Sequence, residues 1–123
     1  MFKELKNVTI AVLGDMMLDH YILGNCERVS PEAPVQIIKA VNESIFLGGA
    51  GNVVANLSGL GACVYPLGVI GNDKPGRTII SMLKKIKIIS DYISENNKST
   101  LKTRIVVNNQ QLLRVDWDQD VIL

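Results

Sequence analysis

The sequence predicts an α/β fold, with a mainly parallel sheet flanked by helices, and three observations carry that prediction. Residues 8–13, Val-Thr-Ile-Ala-Val-Leu, are a short, β-branched run stopped at Gly14, the pattern of a strand buried on both faces. Two segments of helical periodicity follow, one opened by Gly48-Gly49-Ala50-Gly51-Asn52 and one by Gly71-Asn72-Asp73-Lys74-Pro75-Gly76. Each is followed by a further apolar run, and strands alternating with helices indicate parallel pairing.

The elements follow in order. After the first strand, Asp15 and Asp19 lie where ligands gather in open α/β sheets, at the carboxyl end. Residues 21–24 and 35–41 read as two strands around a turn at Ser30-Pro31-Glu32-Ala33-Pro34, a small antiparallel excursion with no helix between them. Val53, Val54, Leu57 and Leu60 form the apolar face of the first helix, and Gly61 suits its C-terminal cap. Residues 63–70 form the next strand, where Pro66 suggests an edge or an irregularity. Ile79, Ile80, Leu83 and Ile86 mark the buried face of the second helix. Residues 88–93 read as a strand, 94–99 as a mobile polar loop, and 100–107 with 111–116 as a hairpin about Asn108-Asn109-Gln110. The last residues, 120–123, show no closing element.

Composition narrows the function. A chain of 123 residues holds about one domain. A formal charge of +1 argues against a nucleic-acid partner, which would concentrate Lys and Arg on one face. No apolar run approaches the ~18 residues a membrane span needs, and the run after the charged N-terminus is too short for a signal peptide. A cytoplasmic protein with no membrane partner is expected. Cys26 and Cys63 lie far apart and are expected to be reduced thiols, Cys63 buried in its strand. His20, the single histidine, lacks the soft ligands of a metal site and reads as an exposed loop residue.

Three groups could carry chemistry. The Gly48, Gly49 and Asn52 segment lets backbone approach a ligand at a helix start, or is simply a tight turn. It is neither a Walker loop nor a dinucleotide fingerprint. Asp15 and Asp19 are hydrogen-bond acceptors suited to sugar hydroxyls, or turn and cap residues; a metal site would need a third ligand that is not apparent. Lys102 and Arg104 share a strand face from which Thr103 points away, and could hold a phosphate or be solvated surface charges. Gln110, Gln111, Arg114 and Asp116 follow on the next strand, with Arg114 and Asp116 able to pair.

Taken together, these segments resemble a family. Gly48-Gly49-Ala50-Gly51-Asn52, with Gly61 and Gly71 downstream, is similar to the N-terminal signature of the ribokinase or phosphofructokinase-B carbohydrate kinases. The Gly71 to Gly76 turn resembles that family's Gly-x-Asp-x-x-Gly, and Val54 departs from its usual Ala, Ser or Thr. Four ordered blocks resemble, more closely, the kinase domain of bacterial enzymes that make ADP-activated heptose for lipopolysaccharide. They are Leu13-Gly14-Asp15-Met16-Met17-Leu18-Asp19-His20-Tyr21, Arg28-Val29-Ser30-Pro31-Glu32-Ala33-Pro34-Val35, Lys102-Thr103-Arg104 and Asn109-Gln110-Gln111-Leu112-Leu113-Arg114-Val115-Asp116.

The resemblance implies a ribokinase-like fold whose N-terminal, substrate-binding part occupies residues 1–123, with a small β lid near 20–42 and 100–116. It implies transfer of the γ-phosphate of ATP, assisted by Mg²⁺, to the C1 hydroxyl of D-glycero-D-manno-heptose 7-phosphate. ATP and Mg²⁺ would be held outside this segment. The catalytic base is likewise expected beyond residue 123, in a Gly-Ala-Gly-Asp-like segment that does not occur here, so this stretch alone is expected to be inactive. Asp19 would bind sugar hydroxyls with Asp15 near it. Gly48, Gly49 and Asn52 would line the sugar pocket, and Lys102 or Arg104 would meet the 7-phosphate, with Gln110 and Arg114 on the lid. The lid is also expected to join two copies as a homodimer. Two other readings stay open: a kinase for another sugar phosphate, and a non-catalytic sugar-binding or dimerisation module.

Overall fold

A computed structural model describes residues 5–96 and 98–118. Its elements run β1 (Thr9–Leu13), β2 (Met16–Val29), β3 (Gln36–Gly49), α1 (Ala50–Gly59), β4 (Cys63–Gly71), α2 (Lys74–Lys85), β5 (Ile93–Asn96), β6 (Thr100–Val107) and β7 (Gln110–Trp117). They form two sheets. The first is parallel, in the order β1-β4-β5; the second has four strands, in the order β3-β2-β6-β7. The α/β reading holds. The antiparallel excursion is much larger than its sequence suggests, because β2 and β3 each extend over 14 residues.

Pro66 does not mark an edge, since β4 is the central strand of the parallel sheet and Pro66 is fully buried. Ladder geometry explains how proline fits there. Cys63 N–H donates to the Val8 carbonyl and the Leu67 carbonyl accepts from Gly14 N–H, so the odd residues of β4 address β1. Pro66 therefore addresses the β5 side, where pairing starts only at Gly68. No ladder bond is lost at its missing N–H.

Both helices have readable ends. At the end of α1, Gly61 N–H donates to Ser58 O and Ala62 N–H to Leu57 O, with Gly61 at φ 93°. This is a Schellman cap, and glycine takes the left-handed position. At the start of α2, Asp73 Oδ1 accepts from Gly76 N–H at 2.8 Å, and Lys84 and Lys85 complement the dipole at its end. Val54 of α1 and Ile79 and Leu83 of α2 pack with Met16, Leu18, Leu47, Val64 and Ile70 into one core. Both sheets contribute to it, so they are held as one unit. Each such side chain contributes about 1.5–3 kcal/mol on full burial. Val53, Leu60 and Ile86, expected on the buried helix faces, are exposed.

Four further expectations are corrected. The strand placed at 88–93 starts only at Ile93, and Ser94 and Glu95 of the expected mobile loop belong to it. Ser99, in the same expected loop, is 1% exposed. Asn97 lies outside the described residues, as does the 120–123 terminus. Cys63 is exposed, because odd residues of β4 point away from the core that even residues such as Val64 enter. The β6–β7 hairpin turns on Asn108 and Asn109 alone, at φ 50° and 62°. Those values suit a two-residue type I′ turn, where asparagine tolerates left-handed backbone.

Candidate functional site

The second sheet has two chemically different faces, and its register assigns every residue to one of them. Met17, Asp19 and Tyr21 of β2 stand opposite Thr100, Lys102 and Arg104 of β6. On the other flank they stand opposite Gly48, Phe46 and Ser44 of β3. Arg114 and Asp116 of β7 stand opposite Arg104 and Lys102. Directly paired residues share a face, so all of these side chains belong to one surface. The alternate residues Leu18, Leu47 and Leu101 enter or border the core on the other side.

Asp19 and Arg104 meet on the polar face. Arg104 Nη1 donates to Asp19 Oδ1 at 2.9 Å, with the two side chains 18% and 23% exposed. The same guanidinium lies over the Tyr21 ring, 5.3 Å from its centroid, and Tyr21 stacks edge-on against Phe46. The hydrogen bond to Asp19 pushes the Arg104 pKa above its ordinary value, against the opposing effect of burial. Arg104 therefore stays cationic throughout the working range. Arg114 Nε and Asp116 Oδ1 pair at 2.9 Å one strand away.

Gly48 is pressed against Asp19. A Cβ at Gly48 would lie 2.6 Å from Asp19 Oδ2 and 2.8 Å from its Cγ, so the carboxylate occupies the space a side chain would fill. Gly49 follows at φ 54°, where a Cβ would lie 2.6 Å from Asp15 O. Asp15 O accepts from Ala50 N–H at 3.0 Å and ties the start of β2 to the start of α1. Helix α1 begins with no side-chain cap and no acidic residue in its first turn. Asn52, in that turn, is exposed and accepts from Asn56 Nδ2 at 3.4 Å.

The structure thus brings together Asp19, Gly48, Gly49, Lys102, Arg104 and Arg114. Asp15 contributes its backbone, and its side chain is exposed. Gln110 stands opposite Val107, five rungs along β6 from Lys102. That separation is about 17 Å at strand spacing, too far to share a small ligand's contact. His20 is not in a loop. It lies in β2 on the opposite face from Asp19, with Nε2 2.9 Å from Glu43 Oε2 and Nδ1 3.4 Å from Thr103 Oγ1. Tyr21 and Phe46 join the site without having been expected there, although Tyr21 falls two residues after Asp19, the spacing that puts both on one strand face.

The face offers carboxylate oxygens for hydroxyl donors, cations for an anionic group and an aromatic floor. Among the described residues no group of three or more His, Cys, Asp or Glu could hold a metal ion. The donor set of this face does not fit Mg²⁺. No helix among the described residues is long and apolar enough to cross a membrane.

Comparison with known proteins bears on the family and the fold. The chain is 49% identical over 113 residues to the bifunctional protein HldE of Campylobacter concisus, covering 90% of this chain and 24% of that protein. It is 50% identical over 118 residues to the protein of that name from Sulfurimonas denitrificans, covering 93% and 25%. The chain thus spans about a quarter of the length of these curated relatives. Among solved structures, it superimposes on a putative ribokinase from Agrobacterium tumefaciens with a TM-score of 0.72 at 18% identity, covering 90% of this chain and 36% of that one. Arabidopsis thaliana ribokinase, solved with ribose and ATP, gives 0.71 at 19% identity, covering 89% and 35%. These likenesses show the ribokinase-like fold. The profile of the pfkB family of carbohydrate kinases matches residues 8–120, nearly the whole chain, and the chain belongs to that family.

Proposed function

We propose that the polypeptide carrying this segment is an ATP-dependent sugar kinase acting on D-glycero-D-manno-heptose 7-phosphate at its C1 hydroxyl, and that this segment binds the sugar. The observation that carries the reading is the Asp19 carboxylate, seated against Gly48 and flanked by cations on one sheet face. A carboxylate accepts from sugar hydroxyls, and Lys102 or Arg104 takes the 7-phosphate by charge-assisted hydrogen bonds. The four ordered sequence blocks that resemble ADP-heptose-forming enzymes support the choice of sugar.

In this reading the segment works by binding and orienting. Asp19 and the Gly48-Gly49 backbone fix the hydroxyls, and the β6–β7 cations neutralise the phosphate. ATP supplies the transferred phosphoryl group, and it, Mg²⁺ and the proton-accepting base are held by residues outside this segment. Residues 1–123 alone are then inactive. The protein works in the cytoplasm, where ATP and sugar phosphates are found, and the second sheet serves as a lid that also joins two copies.

The test is turnover by the complete polypeptide with ATP and a panel of sugar phosphates. Phosphorylation of the heptose 7-phosphate at C1 is expected. Turnover of a hexose phosphate with none of the heptose would favour a kinase for another sugar. Absence of any turnover, with sugar phosphate still bound, would favour a non-catalytic module.

A further inference from the structure

Asp73 makes more bonds than a helix cap needs. Its Oδ1 accepts from Gly76 N–H at 2.8 Å, which caps α2. The same oxygen also accepts from Ser99 Oγ at 2.7 Å, and Oδ2 accepts from Ser99 N–H at 2.8 Å. Ser99 Oγ in turn accepts from Gly71 N–H at 2.8 Å. One carboxylate and one hydroxyl therefore join the end of β4, the start of α2 and the residue immediately before β6.

The backbones at this junction are closely apposed. A Cβ at Gly71 would lie 2.5 Å from Ser99 N, and one at Gly76 would meet Ser99 Oγ at 2.8 Å. Ser99 is 1% exposed, so water cannot replace a lost partner there. Beyond Ser99, β6 starts at Thr100 and carries Lys102 and Arg104 on the polar face.

We propose that Asp73 is a positioning residue for the sugar site: its two-oxygen grip on Ser99 sets where β6 begins, and hence where Lys102 and Arg104 stand against Asp19. The proposal rests on the sugar-kinase reading above. From Thr100 to Arg104, β6 pairs with β2 rung by rung and without a register shift. A displacement at Ser99 is passed on to the guanidinium, and a shift of about 1 Å at a binding group can cost about 100-fold in rate.

The informative variant is Asp73→Ser in the complete polypeptide. Serine is a good N-cap and keeps the bond to Gly76, but one hydroxyl cannot grip Ser99 at both its N–H and its Oγ. The expected result is kcat/KM for the sugar phosphate lowered at least tenfold, with the KM for ATP within twofold. Amide exchange in residues 100–104 should accelerate at least tenfold, while exchange in α2 is unchanged. Ser99→Ala should move the same readouts in the same direction by less.

Asp19→Ala separates this idea from the reading on which it rests. If Asp19→Ala cripples sugar use while Asp73→Ser and Ser99→Ala stay within twofold of the wild type, the positioning role is overturned. Equal losses toward sugar and ATP, in step with the melting temperature, would overturn it too. If Asp19→Ala leaves sugar use unchanged, the function reading fails, and exchange in residues 100–104 alone decides whether Asp73 sets β6. Unaltered exchange there in Asp73→Ser would then reject it.

Discussion

Arg104 and Arg114 stand directly opposite each other on β6 and β7, two like charges on one rung, and each is matched by its own carboxylate at 2.9 Å. Like charges placed opposite one another destabilise a strand pair, so Asp19 and Asp116 offset a local repulsion as well as forming pairs. Lys102, between those two carboxylates in register, adds a third cation. This polar face holds one more cation than carboxylate and attracts an anionic ligand.

The first prediction follows from that balance. In the complete polypeptide, Arg104→Gln should raise the KM for the sugar phosphate about 10- to 100-fold, the range of a hydrogen bond to a charged group. An unphosphorylated sugar should lose much less. Steady-state kinetics with the two sugars checks it, and equal losses for both would remove Arg104 from phosphate recognition.

Gly48→Ala tests the packing beneath the carboxylate. The new methyl would sit 2.6 Å from Asp19 Oδ2 and 2.9 Å from Met17 Cγ, so Asp19 must move. Overpacking of this kind costs about 1–3 kcal/mol. Sugar kcat/KM should fall at least tenfold, because the displaced group is the hydroxyl acceptor itself. Gly59→Ala is the control: nothing lies within 4 Å of its Cβ position. At the end of α1 that change should stabilise by about 0.5–1 kcal/mol and leave sugar kinetics unaltered. Thermal melts and kinetics of the two variants give the comparison.

Local signals in the sequence mark what is locally determined. Gly61 at the end of α1, Asp73 at the start of α2 and the Asn108-Asn109 turn are each set by backbone conformations that few residues adopt. The length of β2 is not legible, because Asp19, His20, Asn25 and Glu27 interrupt the apolar alternation that announces a strand. His20 puts a polar ring on the otherwise apolar face, and from Asn25 to Val29 every residue of β2 is exposed, so the alternation does not persist along the strand. Ser99 reads as mobile for a similar reason. Its partner Asp73 is 26 residues away, so a polar stretch that looks solvated is fixed by a distant carboxylate. The polar site face became visible only through register, which places Arg104 beside Asp19 across 85 residues of chain.

Asp73 also makes a prediction about acid. Partial burial pushes its carboxyl up, but the Ser99 and Gly76 donors outweigh this and hold it below the ordinary aspartate range. A carboxylate with a depressed folded pKa adds stability above its unfolded pKa and loses it as pH falls through the folded value. The stability gap between wild type and Asp73→Asn should therefore be constant above about pH 5 and shrink below about pH 4. Because all three donors are neutral groups, salt should not close the gap. Melting temperatures of the complete polypeptide from pH 3 to pH 7 check this. A gap that grows on acidification would contradict it.

The last prediction concerns residues 1–123 expressed alone. Odd residues of β1 and β4 turn away from the core, so Ala11, Leu13, Tyr65 and Leu67 share a face that no described helix covers. Tyr92 stacks edge-on against Tyr65 there, Leu13 is 83% exposed and Tyr92 57%. A parallel sheet is ordinarily covered on both faces, because its strands are apolar on both. The edge of β1, unpaired among the described residues, adds backbone donors and acceptors beside this face. The isolated segment should therefore self-associate at micromolar concentration, and Leu13→Lys with Tyr92→Lys should reduce the association. Sedimentation velocity over a concentration series measures it. A monomer with a sharp, cooperative unfolding transition would show that this face is stable in water as it stands.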